Sequence, residues 1–596
     1  MKKKSVNKSS SFNLIISIFK KLEKRRKLQI GLVFIFMFIS GLAEMINLTA
    51  VVPFLIILTN PDKVFDYPII KNLEYLFVSK NVSELIIPIT LFFALTALIA
   101  GLIKIINLWL NTKLSSVIGN DISKQVYKKT LLQPYSSIVR SNSADLINGI
   151  TNNIFSTVKV IERSLAILAS LIVMTNLIIG LIIFNHSITF AVLLILFSVY
   201  IVISYFSKIK LKSNSKILAQ KTRDQIKLSQ ESFGAIKDII IFNSKNIYIN
   251  IYGKLDTTIR NLYAQNSFLG SYPKSVIESF SLIILILSSL LLRSQDGFRE
   301  DTIVVLGMFA LAAQKLIPNM QMIYSSLAAI RSNTAQTRKI VEVLNKKISE
   351  DVALENVKKI EFKRNIKFEN ISFCYADNDL KAIKNFNFEI FKGEKIGVMG
   401  PTGSGKSTFI NIILGLLKPS KGLFLVDGKD IHDPNNADML RKWQNTITYV
   451  PQSVYLIDSS IKENIAYGVP PELIDMDLIK RCAKYARIHN FIESKEGSYE
   501  SLVGERGIKL SGGQIQRIGI ARALYKRSKI FIFDEATSAL DYKTELEVIN
   551  SINNFDKNST IILVAHRLNT IANCDRVIEI EASEIKRVIL GSQLSS

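Results

Sequence analysis

The stretch GPTGSGKST, Gly400 to Thr408, decides the reading of this 596-residue chain. The apolar run IGVMG (Ile396 to Gly400) precedes it and TFINIILGLL (Thr408 to Leu417) follows it. This is the pattern of a buried strand, a glycine loop and a buried helix. Backbone N–H groups of such a loop and of the helix N-terminus bind phosphate oxygens. Gly400, Pro401, Thr402, Gly403, Ser404, Gly405, Lys406, Ser407 and Thr408 are therefore candidate nucleotide-binding residues. Lys406 is placed to reach the β- and γ-phosphates and Ser407 to hold Mg²⁺. A lone phosphate loop belongs to many nucleotide folds, so the neighbouring motifs must narrow it.

Two further stretches do so. KIFIFDEATSALD, Lys529 to Asp541, reads as a core strand ending in two acids. Asp534 is the expected second metal ligand, and Glu535 can accept a proton from an attacking water. A second apolar strand, Ile561 to Val564, leads to His566, expected to contact the γ-phosphate and order that water. Between loop and acids stands LSGGQ, Leu510 to Gln514. His186, His432 and His489 carry no such context and are read as ordinary surface or core residues.

The order of these motifs resembles the ABC ATPase family, over the stretch from about 366 to 570. The resemblance implies an α/β P-loop ATPase domain with an α-helical subdomain. It implies that Tyr375 stacks on adenine, and that Gln452 of YVPQ touches Mg²⁺ and senses a coupled domain. It implies that VGERG (Val503 to Gly507) lies near the inner ends of membrane helices and that Ser538 to Asp541 crosses a dimer interface. Ser511, Gly512, Gly513 and Gln514 would then bind the nucleotide held by a second subunit. One ATPase half per chain makes a homodimer the economical assembly. The expected cofactors are ATP and Mg²⁺. The final stretch, EIEASEIKRVILGSQLSS, departs from the family in lacking a glycine turn after the last strand.

What precedes the ATPase half indicates what the ATP drives. Hydrophobic residues make up 48% of the chain, and apolar runs crowd its first 330 residues. Six stretches approach or exceed the roughly 20 residues a helix needs to cross a bilayer. They lie near 30–58, 85–110, 162–184, 187–207, 274–292 and 302–329. Before them, SFNLIISIFKKLEKRRK reads as an amphipathic, then basic, interfacial helix. Lys20, Lys21, Lys24, Arg25, Arg26 and Lys27 fix that end in the cytoplasm, and six spans return the chain there. The fold class is thus an α-helical six-span transmembrane domain followed by the ATPase domain. Its expected parts are a basic tail and interfacial helix (1–29), the transmembrane domain (30–335), a linker (336–362) and the ATPase (363–596).

The formal net charge is +25, but it is dispersed and concentrated beside the apolar runs. That distribution points to a membrane surface and away from nucleic acid. Cys374, Cys482 and Cys574 are scattered thiols that suggest neither disulfides nor zinc. The basic N-terminus precedes a full-length apolar span, so no cleavable signal is expected.

Six spans fused before one ATPase resemble a half-size ABC exporter, and importers of that family usually keep these parts on separate chains. GLAEMINLTAVVPFL, LLQPYSSIVRSNSADLI and GAIKDIIIFNSKN resemble, diffusely, the lipid-linked oligosaccharide flippases. Within Pro61 to Val82, Ile69, Ile70, Leu73, Leu76 and Phe77 recur at helical spacing, as in a short outer-surface helix. Charges inside spans are costly unless they face a cavity or a partner. Lys315 lies about 20 Å into the sixth span at 1.5 Å per residue, Lys104 lies near the inner end of the second, and Glu44 lies in the first. All three are candidate substrate residues. The expectation is an inner-membrane exporter or flippase, cytoplasmic at its ATPase end, moving an amphipathic anion such as a lipid-linked oligosaccharide by alternating access. A peptide or drug exporter of the same fold is the alternative, and a non-transporting regulatory ATPase the third reading.

Overall fold

The computed structural model describes residues 11–59, 82–184, 186–296, 301–346, 358–375, 381–436, 438–535, 547, 558–565 and 571–594. The expected outer helix within Pro61 to Val82, the Ser538 to Asp541 loop and His566 lie outside the described residues, Val82 excepted. The chain divides into two compact units, residues 1–133 with 139–349, and residues 134–138 with 350–596. The main boundary falls inside the expected 336–362 linker.

The first unit is helical. It opens with α1 (Ser11–Lys20), α2 (Lys24–Thr49), α3 (Val51–Thr59) and α4 (Val82–Leu131). After α5 (Tyr135–Arg140), whose residues 135–138 group with the second unit, come α6 (Ser143–Ile150), α7 (Asn152–Phe184), α8 (His186–Gly234) and α9 (Ile236–Ile241). The unit closes with α10 (Lys245–Asp296), α11 (Asp301–Ser332) and α12 (Thr334–Asn345). Two breaks between these helices have local causes: α4 stops before Pro134, and Asn243 takes a left-handed φ of 49° between α9 and α10.

Among the described residues, three stretches are long and apolar enough to cross a membrane: Lys24–Thr59, Ile86–Leu131 and Ser143–Phe184. The most apolar part of Ile86–Leu131 is only 11% buried, so its leucines and isoleucines need a nonaqueous surrounding that the chain does not supply. α4 has 50 residues, about 75 Å at 1.5 Å per residue. A hydrocarbon core of about 30 Å covers less than half of it, and the rest extends into water as the polar 111–131 stretch requires. The α1 helix divides its apolar residues. Leu14 and Ile18 pack among Ile340, Val341 and Leu344 of α12, whereas Phe12 and Ile16 remain exposed for a bilayer surface. The Nζ atoms of Lys21 and Lys129 both donate to the Leu344 carbonyl, at 2.6 and 2.7 Å, placing cations at the negative end of α12.

The second unit is built on two sheets. β1 (Asn365–Cys374), β2 (Lys381–Phe391), β4 (Lys421–Val426) and β5 (Lys429–Asp430) form an antiparallel sheet in the order β2-β1-β4-β5. The other has the order β10-β9-β3-β8-β7-β6 and contains β3 (Lys395–Met399), β6 (Ile447–Val450), β7 (Ile530–Asp534), β8 (Thr560–Val564), β9 (Arg576–Glu581) and β10 (Glu584–Leu590). Its central strands run parallel and only β10 is antiparallel. Parallel strands are covered on both faces and therefore read as continuous apolar runs. β7 shows this: Ile530 and Ile532 enter one core, Phe531 and Phe533 the other.

α13 (Lys406–Ile413) lies between the two sheets. Its Phe409, Ile410, Ile412 and Ile413 are fully buried, with Phe368, Phe386 and Phe424 of the antiparallel sheet and Val398, Ile532 and Val564 of the parallel one in the same core. The opposite face of the parallel sheet is covered by a helical layer that includes α15 (Ile461–Ile465), α16 (Met476–Tyr485) and α18 (Gly512–Tyr525).

The turn that departs from the family pattern is a two-residue hairpin between β9 and β10. Glu581 pairs with Glu584, and Ala582 and Ser583 both take positive φ, 47° and 69°. Such turns favour Asn-Gly because both central residues must be left-handed, a conformation that costs an ordinary residue about 1–2 kcal/mol. Replacing Ala582 and Ser583 together by Asn and Gly is expected to stabilise the ATPase half by about 1 kcal/mol, read as a raised denaturation midpoint. An unchanged midpoint would show that the turn carries no strain. Cys482 and Cys574 are buried, and burial pushes both thiols up to about 12. Maleimide at neutral pH is therefore expected to label Cys374 alone in the folded protein and all three thiols after denaturation, with mass spectrometry as the readout.

Candidate nucleotide site

The loop between β3 and α13 exists because two glycines permit it. Gly400 has φ +153°, and a Cβ there would stand 2.1 Å from the Ile580 carbonyl oxygen. Gly405 has φ +110°, and its Cβ would stand 2.6 Å from the Ala382 carbonyl oxygen. Both clashes are with backbone, which cannot swing aside. The loop is thereby pressed against β2 and β9, with the N-terminus of α13 directed at the space beside it.

That space is a cleft of about 520 Å³ lined by Tyr375, Ala382, Thr402, Gly403, Gly405, Lys406, Ser407, Thr408, Gln452 and Glu535. The cleft gathers the loop, the aromatic residue, the glutamine and one acid, which are separated by 160 positions in sequence. Tyr375 is tied to the loop's helix by a 3.3 Å hydroxyl contact with Thr408. The Lys406 ammonium donates to the carbonyls of Gly400 and Pro401 at 2.7 and 3.0 Å, leaving one of its three donors. Ser404 Oγ is buried with no hydrogen-bond partner. An orphaned hydroxyl inside a glycine cradle beside a helix N-terminus and a lysine is a donor set that fits a polyphosphate.

The acids are held from one neighbouring segment. Glu535 has φ 50° and its backbone N–H donates to the Val564 carbonyl, which turns it off the end of β7. Gln452 Nε2 donates to Glu535 Oε2 at 2.6 Å. Tyr449 Oη donates to Asp534 Oδ2 at 3.1 Å. Burial raises the Asp534 carboxyl above its ordinary range, and the Tyr449 hydrogen bond opposes that shift. Sequence reasoning missed Tyr449. No sequence signal marked it: the contact depends on β6 pairing with β7 in parallel, which lets a tyrosine at its third residue reach the end of its neighbour.

Ser511, Gly512, Gly513 and Gln514 stand outside the lining of this cleft. They form the N-terminus of α18, where Ser511 and Gln514 make a reciprocal capping box: Ser511 Oγ accepts from the Gln514 N–H, and Gln514 Oε1 from the Ser511 N–H at 2.9 Å. Ser511 and Gly512 are exposed, so the backbone donors of the first turn face outward from a preformed anion-favouring end.

Most of the residues lining this cleft, from Thr402 to Glu535, fall in a recognisable domain: residues 383–538 match the family description ABC transporter. The chain carries an ABC transporter domain. Its fold is that of a half-size exporter. A bacterial Atm1-family ABC exporter with ATP bound superposes with a TM-score of 0.78 over 96% of each chain at 20% identity. The ATP-dependent lipid A-core flippase of Cupriavidus metallidurans is 27% identical over 498 residues, 82% of each chain. The leukotoxin translocation ATP-binding protein of Mannheimia glucosida is 44% identical over 227 residues, 38% of this chain and 31% of that relative. The transporter is thus a membrane protein that binds ATP and couples its hydrolysis to export.

The Gly405 geometry makes a direct prediction. Gly405→Ala forces either the loop or β2 to move, so nucleotide binding is expected to fall at least about tenfold with far-UV circular dichroism unchanged. A fluorescent ATP analogue measures the binding, and wild-type affinity in the variant would refute the backbone argument.

Proposed function

We propose that the transporter acts as a homodimer in the inner membrane, ATPase ends in the cytoplasm, and moves an amphipathic anion such as a lipid-linked oligosaccharide by alternating access. The observation that carries the cargo reading is a charge cluster inside the spans. Glu44 of α2 pairs with Lys315 of α11 and lies 3.8 Å from Lys104 of α4. Two cations and one anion leave a positive excess at apolar depth. The Glu44 and Lys315 side chains are largely buried, but that of Lys104 is 68% exposed. Lys104 is the cation that can meet a phosphate, while Lys315 holds Glu44 in place.

The relatives favour the same class. The lipid A-core flippase is similar across both halves of the chain. Similarity to the toxin translocator covers 38% of this chain and 31% of that relative, and so carries less weight on cargo.

In the ATP site, Lys406 and the loop N–H groups hold the β- and γ-phosphates, and Tyr375 supports the adenine. Ser407, Gln452 and Asp534 would hold Mg²⁺, which screens phosphate charge when bound. Glu535 accepts the proton of the attacking water, with His566 assigned to the γ-phosphate. The outward-facing end of α18 serves the nucleotide of a second copy, through Ser511, Gly512, Gly513 and Gln514. This makes closure of two copies the event that completes both sites. Tyr449 orients Asp534 without touching nucleotide.

Purified protein in liposomes, supplied with lipid-linked glycan, peptide or dye, tests the cargo. Glycan translocation that ceases with Glu535→Gln is expected, and Lys104→Gln should raise the glycan half-saturation about tenfold. Translocation of peptide or dye alone would replace this reading, and hydrolysis without movement of any cargo would remove it. Tyr449→Phe should raise the divalent-cation concentration needed for half-maximal hydrolysis several-fold while leaving ATP binding in EDTA unchanged. Equal effects on both would make Tyr449 a structural residue only.

A further inference from the structure

A second feature of the helical unit has the build of a lipid site. Between α8 and α11, with Met174 of α7 at its wall, lies a groove of about 380 Å³. Phe197, Tyr200, Ile201, Ile323, Tyr324 and Leu327 give it an apolar lining. The lining runs from Phe197 to Lys208 on one helix and from Met320 to Arg331 on the other, about 16 Å on each at 1.5 Å per residue. Tyr200 lies beside Tyr324, with ring centroids 5.8 Å apart and the rings tilted by 44°, and Ser204 meets Arg331. Both cross-contacts advance in the same direction along the two helices, so the helices run side by side in the same sense. Lys208 and Arg331 consequently fall at the same end of the groove. A long apolar trough with two cations at one end is the inverse shape of an anionic lipid.

The simpler reading is that two basic residues at helix ends extend away towards water. Arg331 does not do so. Its Nη1 donates to the Ser204 side chain at 3.2 Å and is 3.4 Å from the Ser204 carbonyl, so the guanidinium lies across the groove and closes its end. That leaves most of its five donors for a ligand. Among the described residues, neither Arg331 nor Lys208 has a carboxylate within ion-pair distance. Inside the groove wall, Tyr200 is 8% exposed and its hydroxyl is buried with no hydrogen-bond partner. Tyr324, beside it, is instead satisfied by Ser207 and the Leu269 carbonyl.

We infer that this groove binds one chain of a phosphate-bearing lipid, with the phosphate on Lys208 and Arg331. The site goes beyond the cargo reading and stands without it, because bilayer phospholipid and a lipid-linked cargo offer the same chemistry. Cations at a membrane surface attract anionic headgroups. Here a preformed trough adds apolar contact and fixes where the tail lies.

Native mass spectrometry of the detergent-solubilised full chain, titrated with dioleoyl phosphatidylglycerol or dioleoyl phosphatidylcholine, tests the inference. Wild type is expected to prefer the phosphatidylglycerol about tenfold. Lys208→Gln with Arg331→Gln should abolish the preference, Lys208→Arg with Arg331→Lys should keep most of it, and Ile201→Trp should weaken both lipids by filling the trough. Equal binding of the two lipids by wild type overturns the site, as does a preference that survives the double glutamine variant. If that variant does not fold, the wild-type comparison and Ile201→Trp decide, and Ile201→Trp binding both lipids as wild type does also overturns the site. Competition by a polyprenyl phosphate separates the sources: displacement assigns the groove to cargo, and its absence assigns it to bilayer lipid. Failure of glycan transport with lipid preference intact would remove the cargo reading and leave this site standing.

Discussion

The structure of the ATPase half depends on one constraint: the α13 helix is buried along most of its surface, Ser407 alone being exposed and Asn411 half-buried. Set between an antiparallel and a parallel sheet, it draws apolar residues from both into one core. Deleting one such large side chain costs about 2–5 kcal/mol in a close-packed interior, so the helix has little freedom to shift. Its N-terminus inherits that rigidity. The glycine loop is then pinned at Gly400 against the Ile580 carbonyl and at Gly405 against the Ala382 carbonyl. A phosphate cradle needs fixed donors, and here the fixing is done by the core behind it rather than by the loop itself.

The helical unit meets a different constraint, because its surroundings are apolar on the outside. Leucines and isoleucines of α4 can remain uncovered where a bilayer replaces water, and the costly objects are charges and unpaired polar atoms. Glu44, Lys104 and Lys315 solve part of that cost by meeting one another across three helices. Removing Lys315 alone would leave Glu44 with only the more distant and more exposed Lys104 as its partner. The same pairing that makes the cluster tolerable also restricts which of its members can bind an anion.

Much of the architecture was legible in the sequence, for identifiable reasons. The parallel strands announce themselves as unbroken apolar runs because both faces of that sheet are buried, and Gly400 and Gly405 stand where backbone approaches backbone. The apolar spans show through composition alone. What stayed hidden depends on register. Tyr449 reaches Asp534 only because β6 lies beside β7, and no periodicity along the chain reports that neighbour. The groove of Tyr200 and Arg331 likewise requires knowing that α8 and α11 lie side by side in the same sense. The capping role of Ser511 and Gln514 was readable from their spacing, yet LSGGQ draws attention as a ligand motif and conceals its ordinary work at a helix end.

Tyr449 and Gln452 stand three positions apart on one short segment and grip adjacent acids, Asp534 and Glu535. The two acids therefore have no independent settings. Any displacement of the 449–452 segment that lengthens one hydrogen bond strains the other, so a single mechanical coordinate acts on both carboxylates. A segment built this way acts as a common handle: whatever moves it pulls on both acids at once.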